Sequence, residues 1–505
     1  MYTFSSRLKT FAIILMVLGS LGIVYGFLMA PKTTADVEAI LEKEAAEHHG
    51  SHAASETHTT NVGTHAKAQE HSEAGHSVPK QASADTIHHT DTSAVASSSD
   101  TVHARIVSAT HKADALKKTD AGHSGHDAHG DHEKHLEHVL HQMQNKPWAA
   151  LYVACIFIML LSLGVLVFYA IQQVAQAGWS PVLFRVMQGI TSYLPIGSVI
   201  FFILLILSGM HFNHLFVWMA DGVGEVGHEN YDHLVANKLG YLNVPFWLGR
   251  AALFLVGWSV YQYFSRKNCL LQDDANDNLY YKKNFNISAM FLVFFIVSES
   301  IMSWDWIMSV DPHWYSTLFG WYVFASFFVS GITTITLVTL YLKSRGFLEY
   351  VNTSHIHDLA KFMFGISVFW TYLWFSQFML IWYSNIPEEV TYFITRIENY
   401  NLPFFGMIVM NFVFPVLILI NTDFKRLTWI LVMAGTVILL GHYVDFFMMI
   451  MPATVGDRWF IGVSEIGSLL FFIGLFILVV FTALTKSPLL PKRNPLIEES
   501  KHFHY

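Results

Sequence analysis

Eight ionisable residues fall within, or at the ends of, long apolar runs: Arg250, Glu299, Asp305, Asp358, Lys361, His442, Asp445 and Glu465. In lipid, such a side chain near a helix centre costs roughly 2.5–3.5 kcal/mol on insertion scales, so it faces a bundle interior or a water path. Carboxylates, an amine and an imidazole can take up and release protons. Asp358 and Lys361 are three residues apart, and so are His442 and Asp445, which places each pair on one helix face. Tyr372, Ser376 and Gln377 supply uncharged polar groups between them. The set predicts two proton-accessible half-paths, one from each side, separated by a hydroxyl- and amide-lined middle. Taken singly, some members have a structural explanation: Asp358 suits the first turn of a helix, and Asp305 and Glu465 suit the membrane edge. Glu299 and His442 lie deepest and resist that explanation.

The elements that must hold these groups are membrane-spanning helices. Only 13% of the chain is charged and 53% is apolar, against about 25% charged in soluble proteins. Apolar runs long enough to cross a bilayer, about 20 residues, lie at 11–29, 148–171, 187–209, 244–264, 286–309, 316–342, 359–384, 402–421, 427–450 and 461–484. Lipid leaves no partner for an unpaired backbone group, so these runs must be helices. The fold class is therefore all-α and polytopic, with about ten spans. The chain divides into an anchor helix (1–30), a polar insert (31–146), a nine-helix membrane domain (147–485) and a tail (486–505). Arg7 and Lys9 precede the first span. Alternation then puts Arg185, the Arg266/Lys267/Lys282/Lys283 loop, Lys343/Arg345, Lys425/Arg426 and Lys486/Lys492/Arg493 on that same side. The positive-inside rule makes that side cytoplasmic, with both termini inside. No small-residue cleavage site closes the first span, which is expected to remain as an anchor.

The insert is rich in Ala, Ser, Thr, His, Lys and Glu and poor in aromatics, a composition expected to be largely disordered. His123, His126, His129, His132, His135, His138 and His141 recur at every third position. Clustered imidazoles suit zinc, copper or nickel, while a solubilising linker accounts for the same composition. Residues 133–144 favour helix and are expected to extend the second span.

The chain is poor in redox ligands. Cys155 and Cys269 are the only cysteines and no Cys-x-x-Cys-His occurs, which excludes a four-cysteine iron–sulfur cluster and a covalent haem c in this chain. His442 is the one histidine well inside a span, with His211 and His214 at an outer edge, too few for a bis-histidine haem. No cofactor is expected in this chain, and nothing points to nucleic acid. Pro195 and Pro415, in spans three and eight, leave open a secondary solute transporter, whose helices are commonly interrupted. A passive membrane scaffold is the third class.

Several long motifs point to a family. They are Ser303-Trp304-Asp305-Trp306-Ile307-Met308-Ser309, Asp311-Pro312-His313-Trp314-Tyr315-Ser316-Thr317, His357-Asp358-Leu359-Ala360-Lys361 and the run from Phe375 to Glu389. Tyr241-Leu242-Asn243-Val244-Pro245-Phe246 and Arg250 belong to the same pattern. The chain resembles the F subunit of bacterial alternative complex III, a quinol:cytochrome c oxidoreductase, within the NrfD-like membrane subunits of the polysulfide reductase superfamily. The resemblance covers the first span and everything from about residue 148; the insert falls outside it. It implies the inner membrane of a bacterium, and two four-helix bundles, from spans two to five and six to nine. It also implies partners: a paralogous quinol-oxidising membrane subunit, an iron–sulfur subunit, multihaem cytochromes c and, in some assemblies, a terminal oxidase. Haem c and iron–sulfur clusters would then sit in those partners, with this subunit contributing a proton route. The topology is checked by cysteine-accessibility labelling in intact cells. Residues 31–146 should label from outside and the loop 265–285 only after permeabilisation; labelling of the insert from the cytoplasm alone would contradict the orientation.

Overall fold

The computed structural model describes residues 2–43 and 128–504, which are helical with no strand among them. Met1–Lys32 and Val139–Tyr505 form one compact unit and Thr33–His138 another. In the second unit, residues 34–43 are helical, opened by a reciprocal cap in which the Thr33 and Asp36 side chains each accept from the other's backbone N–H (3.3 and 3.0 Å). Most of the insert, and with it the expected disorder, lies outside the described residues. The helix expected over 133–144 is present within Ala128–Val174.

Among the described residues, ten helices are long and apolar enough to span: Ser6–Met29, His135–Val174, Pro181–Gly209, Val244–Gln272, Leu279–Val310, Phe319–Ser344, Thr353–Ser384, Asn401–Leu419, Thr428–Val455 and Val463–Leu484. Each coincides with a run read from the sequence. Prolines set their irregularities. Pro195 cannot donate to Thr191, and the third span breaks into Phe184–Thr191 and Leu194–Gly209. Pro415 likewise leaves the Asn411 carbonyl without its helical donor, and Val409–Val413 relaxes into a π-helical turn. Pro452 does the same to Met448 in the ninth span. There Arg396 replaces the missing donor, its Nε donating to the Met448 carbonyl at 3.0 Å. Arg396 comes from Pro387–Asn399, a helix that lies between the spans 359–384 and 402–421 read from the sequence. Its start was legible: Pro387 at the first turn, then Glu388 and Glu389 beside the positive end of the helix dipole.

Two closed four-helix bundles result. Spans three, four and five pack in sequence. Span two closes that ring, through Tyr152 hydroxyl to the Trp306 carbonyl (2.8 Å) and through Tyr169, whose hydroxyl accepts from Gln188 (3.1 Å) and Asn284 (2.9 Å). Spans six, seven, eight and nine each pack on the next, and nine returns to six. Spans two and six, the most buried, cross at small residues: a Cβ on Gly331 would lie 2.8 Å from the Val165 nitrogen.

Spans one and ten pair outside the bundles with their backbones in contact. A Cβ on Gly22 would lie 2.8 Å from the Gly467 Cα, and one on Gly474 2.6 Å from the Ala12 carbonyl. Such close approach is how helices associate where lipid is as apolar as the side chains. Gly467→Leu should therefore cost about 1–3 kcal/mol and lower the melting temperature in detergent. Gly249→Leu, with nothing within 4 Å of the added Cβ, should change it little.

Candidate functional site

Two buried polar centres stand out, one in each bundle, and each lies in the last span of its bundle. In the first, Asp305 is fully buried and its carboxylate accepts two bonds from Arg250, at 2.6 and 3.0 Å. The guanidinium also donates to the Tyr241 carbonyl (3.2 Å) and lies against the Tyr241 and Phe246 rings, 4.0 and 4.3 Å from their centroids. Trp247 and Ser309 both donate to the Asp305 backbone carbonyl (2.8 and 2.6 Å). Burial, reinforced by the Asp305 charge, raises the Tyr241 phenol well above its usual range. With two bonds to one guanidinium, Asp305 is held as half of a closed ion pair. Glu299, nearly two turns away, is the opposite case. It is buried, Oε1 has no partner, and Oε2 receives one long bond from Ser300 (3.4 Å).

The second centre is built on Asp445 and His442, both fully buried. Their three-residue spacing brings His442 Nδ1 to 3.6 Å from Asp445 Oδ2. Neither is alone. The Tyr322 hydroxyl donates to Asp445 Oδ1, and the Trp370 indole N–H donates to Oδ2 at 2.8 Å. The Ser326 hydroxyl donates to Oδ2 at 2.7 Å and also meets His442 Nδ1 at 3.0 Å. A hydroxyl has one proton. While Ser326 donates to Asp445, the contact with His442 requires the hydrogen on Nδ1, which leaves Nε2 as the acceptor. That nitrogen is buried and has no hydrogen-bond partner. The Trp370 ring meets the imidazole edge-on at 5.3 Å and limits its rotation.

Hydroxyls continue from this centre along span six. Ser326, Ser330, Thr333, Thr334, Thr336 and Thr339 are all buried. Ser330 and Thr334 donate to carbonyls one turn back (2.8 Å each), while the Thr333 and Thr339 hydroxyls have no partner. In the same bundle the Ser367 hydroxyl, Gln377 Oε1 and both amide atoms of Asn411 are buried without partners. Asn411 lies on the π-helical turn against Gly441, where a Cβ would come within 2.1 Å of its Oδ1.

The remaining residues divide. Asp358 and Lys361 do meet, at 3.0 Å, but the Lys361 side chain is 49% exposed, at the helix edge. Tyr372 is 64% exposed and turned away from the bundle interior; Ser376 is half-buried. Glu465 caps its own helix, accepting from the Gly462 N–H at 2.9 Å. His135, His138 and His141 are exposed. His123 and His126 lie outside the described residues, as do the side chains of His129 and His132. Among the described residues no three His, Cys, Asp or Glu side chains form a group able to hold a metal ion. His141 does meet His214 ring to ring at 4.6 Å. Burial, with His141 and His211 nearby, lowers the His214 pKa.

Tyr322, Ser326 and Trp370 escaped the sequence reading, because hydroxyls and indoles in apolar runs carry no signal of their own. Residues three and four apart on span six, Ser326-Ser330-Thr333/Thr334, were the available clue. Arg185 was also misread as a loop cation. It is buried on Asp273 (2.6 Å) and the Cys269 carbonyl (3.2 Å), where one guanidinium ties two segments together. Comparison with protein-family models and with characterised proteins returns no match.

Removing the Asp445 carboxylate would orphan three buried donors, at roughly 1–3 kcal/mol each. Asp445→Ala is therefore expected to lower the melting temperature sharply. Lys361→Met, which breaks an exposed pair of about 0–1 kcal/mol, should leave it nearly unchanged.

Proposed function

We propose that this multi-pass membrane protein is a subunit of a respiratory quinol:cytochrome c oxidoreductase, the F subunit of an alternative complex III, and that its second bundle carries protons. The observation supporting the proton role most is the Asp445–Ser326–His442 chain, with an unpartnered imidazole nitrogen at its end. Acid, hydroxyl and imidazole in sequence can pass a proton by exchanging donor and acceptor roles. Unpartnered groups on Asn411, Gln377, Ser367, Thr333 and Thr339 would hydrogen-bond water entering the bundle. In this reading the electron carriers, haem c and iron–sulfur clusters, belong to the partner subunits, and quinol is oxidised by the paralogous membrane subunit. Asp305 and Arg250 hold the first bundle rather than move protons, and Asp358–Lys361 stands at the cytoplasmic mouth.

A secondary transporter is favoured by the interrupted spans three and eight. The interruptions do not correspond, however: span three is second in its bundle and span eight is third, whereas repeat-built transporters break matching helices. A passive scaffold has no use for an unpartnered imidazole in its core. Gentle purification of the tagged protein should yield a haem-coloured eluate with iron–sulfur partners. In liposomes, the assembled complex carrying Asp445→Asn should oxidise quinol but translocate fewer protons per electron than wild type. A colourless eluate would remove the respiratory assignment, and an unchanged proton ratio would leave a scaffold.

A further inference from the structure

A second site lies where the fourth and fifth spans emerge, at the end opposite the Lys/Arg-rich loops. A cavity of about 370 Å³ opens there, lined by Lys238, Tyr241, Trp304, Met308, Trp314 and Tyr315 among others. Most of its wall is aromatic or apolar. Trp and Tyr concentrate at the level of lipid headgroups.

Two polar groups of this wall have unused capacity. The Trp304 indole N–H is buried and has no hydrogen-bond acceptor. Lys238 donates to the Pro312 carbonyl at 2.5 Å and lies 5.8 Å from the Tyr315 ring centroid, but it forms no ion pair among the described residues. An ammonium has three donors, so others remain. The neighbouring carboxylates are directed elsewhere. Asp232 lies 2.5 Å from His313 and Asp311 lies 4.0 Å from it, and Asp305 is closed on Arg250. The His313 bond also holds the Asp232 carboxyl below its usual range. A half-buried cation without an ion-pair partner among the described residues and an unpartnered indole N–H thus line the same largely apolar cavity.

We propose that this cavity binds the phosphate of an anionic membrane phospholipid. One non-bridging oxygen would accept from Lys238 and another from Trp304, with an acyl chain along the apolar wall. The uncompensated charge favours an anion over a neutral headgroup. The apolar walls and the position at the span ends favour a lipid over free phosphate. The site is independent of the proton-carrying role and survives if that reading fails.

The test is native mass spectrometry of the full chain in detergent, titrated with dioleoylphosphatidylglycerol. Wild type should retain one such lipid more tightly than dioleoylphosphatidylcholine, whose phosphate charge is cancelled by choline. Lys238→Met and Trp304→Phe should each weaken it, the former by about tenfold, as expected for one charge-assisted hydrogen bond. Lys238→Arg should restore binding, and Lys267→Met, at the other end, should not affect it. Glycerol phosphate should not compete at comparable concentration. Should Lys238→Met fail to fold, Trp304→Phe decides alone. Unchanged affinity in the folded variants, equal binding of the two lipids, or displacement by glycerol phosphate would each overturn the proposal.

Discussion

Lipid supplies no hydrogen bonds, so any backbone or charged group left over inside the membrane unit must be answered by another part of the chain. Much of the architecture follows from that constraint. Pro452 orphans the Met448 carbonyl, and the helix Pro387–Asn399 brings Arg396 to it. Asp305 needs a cation, and its two bonds to Arg250 join spans four and five. The Asp305–Arg250 pair is strong because both partners are removed from water: breaking one side of such a pair costs about 3–5 kcal/mol.

Against that background, unanswered groups carry information. In the second bundle, His442 Nε2, the Asn411 amide and the Thr333 and Thr339 hydroxyls are buried and unpartnered, while Asp445 beside them has three donors. A rigid core would have replaced such atoms with methyl groups at little cost. A route for protons has reason to keep them, because a relay needs lone pairs that are free to accept. The first bundle has its own polar chain around Tyr169, where amide donors converge on one hydroxyl, and unpartnered atoms on Gln173, Asn284 and Glu299; what sets the second bundle apart is its chain of acid, hydroxyl and imidazole.

Much of this was legible in the sequence. The ten spans could be read because length and apolarity are what the bilayer demands, and His442–Asp445 because three-residue spacing fixes a face. The partners of Asp445 were not legible. Tyr322, Ser326 and Trp370 come from two other spans, and the register between helices is set by packing that one sequence does not display. For the same reason Tyr372 pointed nowhere useful: polar type and sequence position placed it in the route, but its helix face turns it outward. Lys361 kept its predicted partner and yet lies half-exposed, because spacing reports which residues share a face and says nothing of what covers that face.

The central claim is that Asp445 changes protonation as electrons pass through the complex. Redox-induced infrared difference spectroscopy of the assembled complex tests it most directly. The account predicts a carboxyl C=O stretching band that appears on turnover, shifts in heavy water, and vanishes in Asp445→Asn while the haem signals stay as in wild type. A difference spectrum in which Asp445→Asn leaves every carboxyl band in place would contradict it.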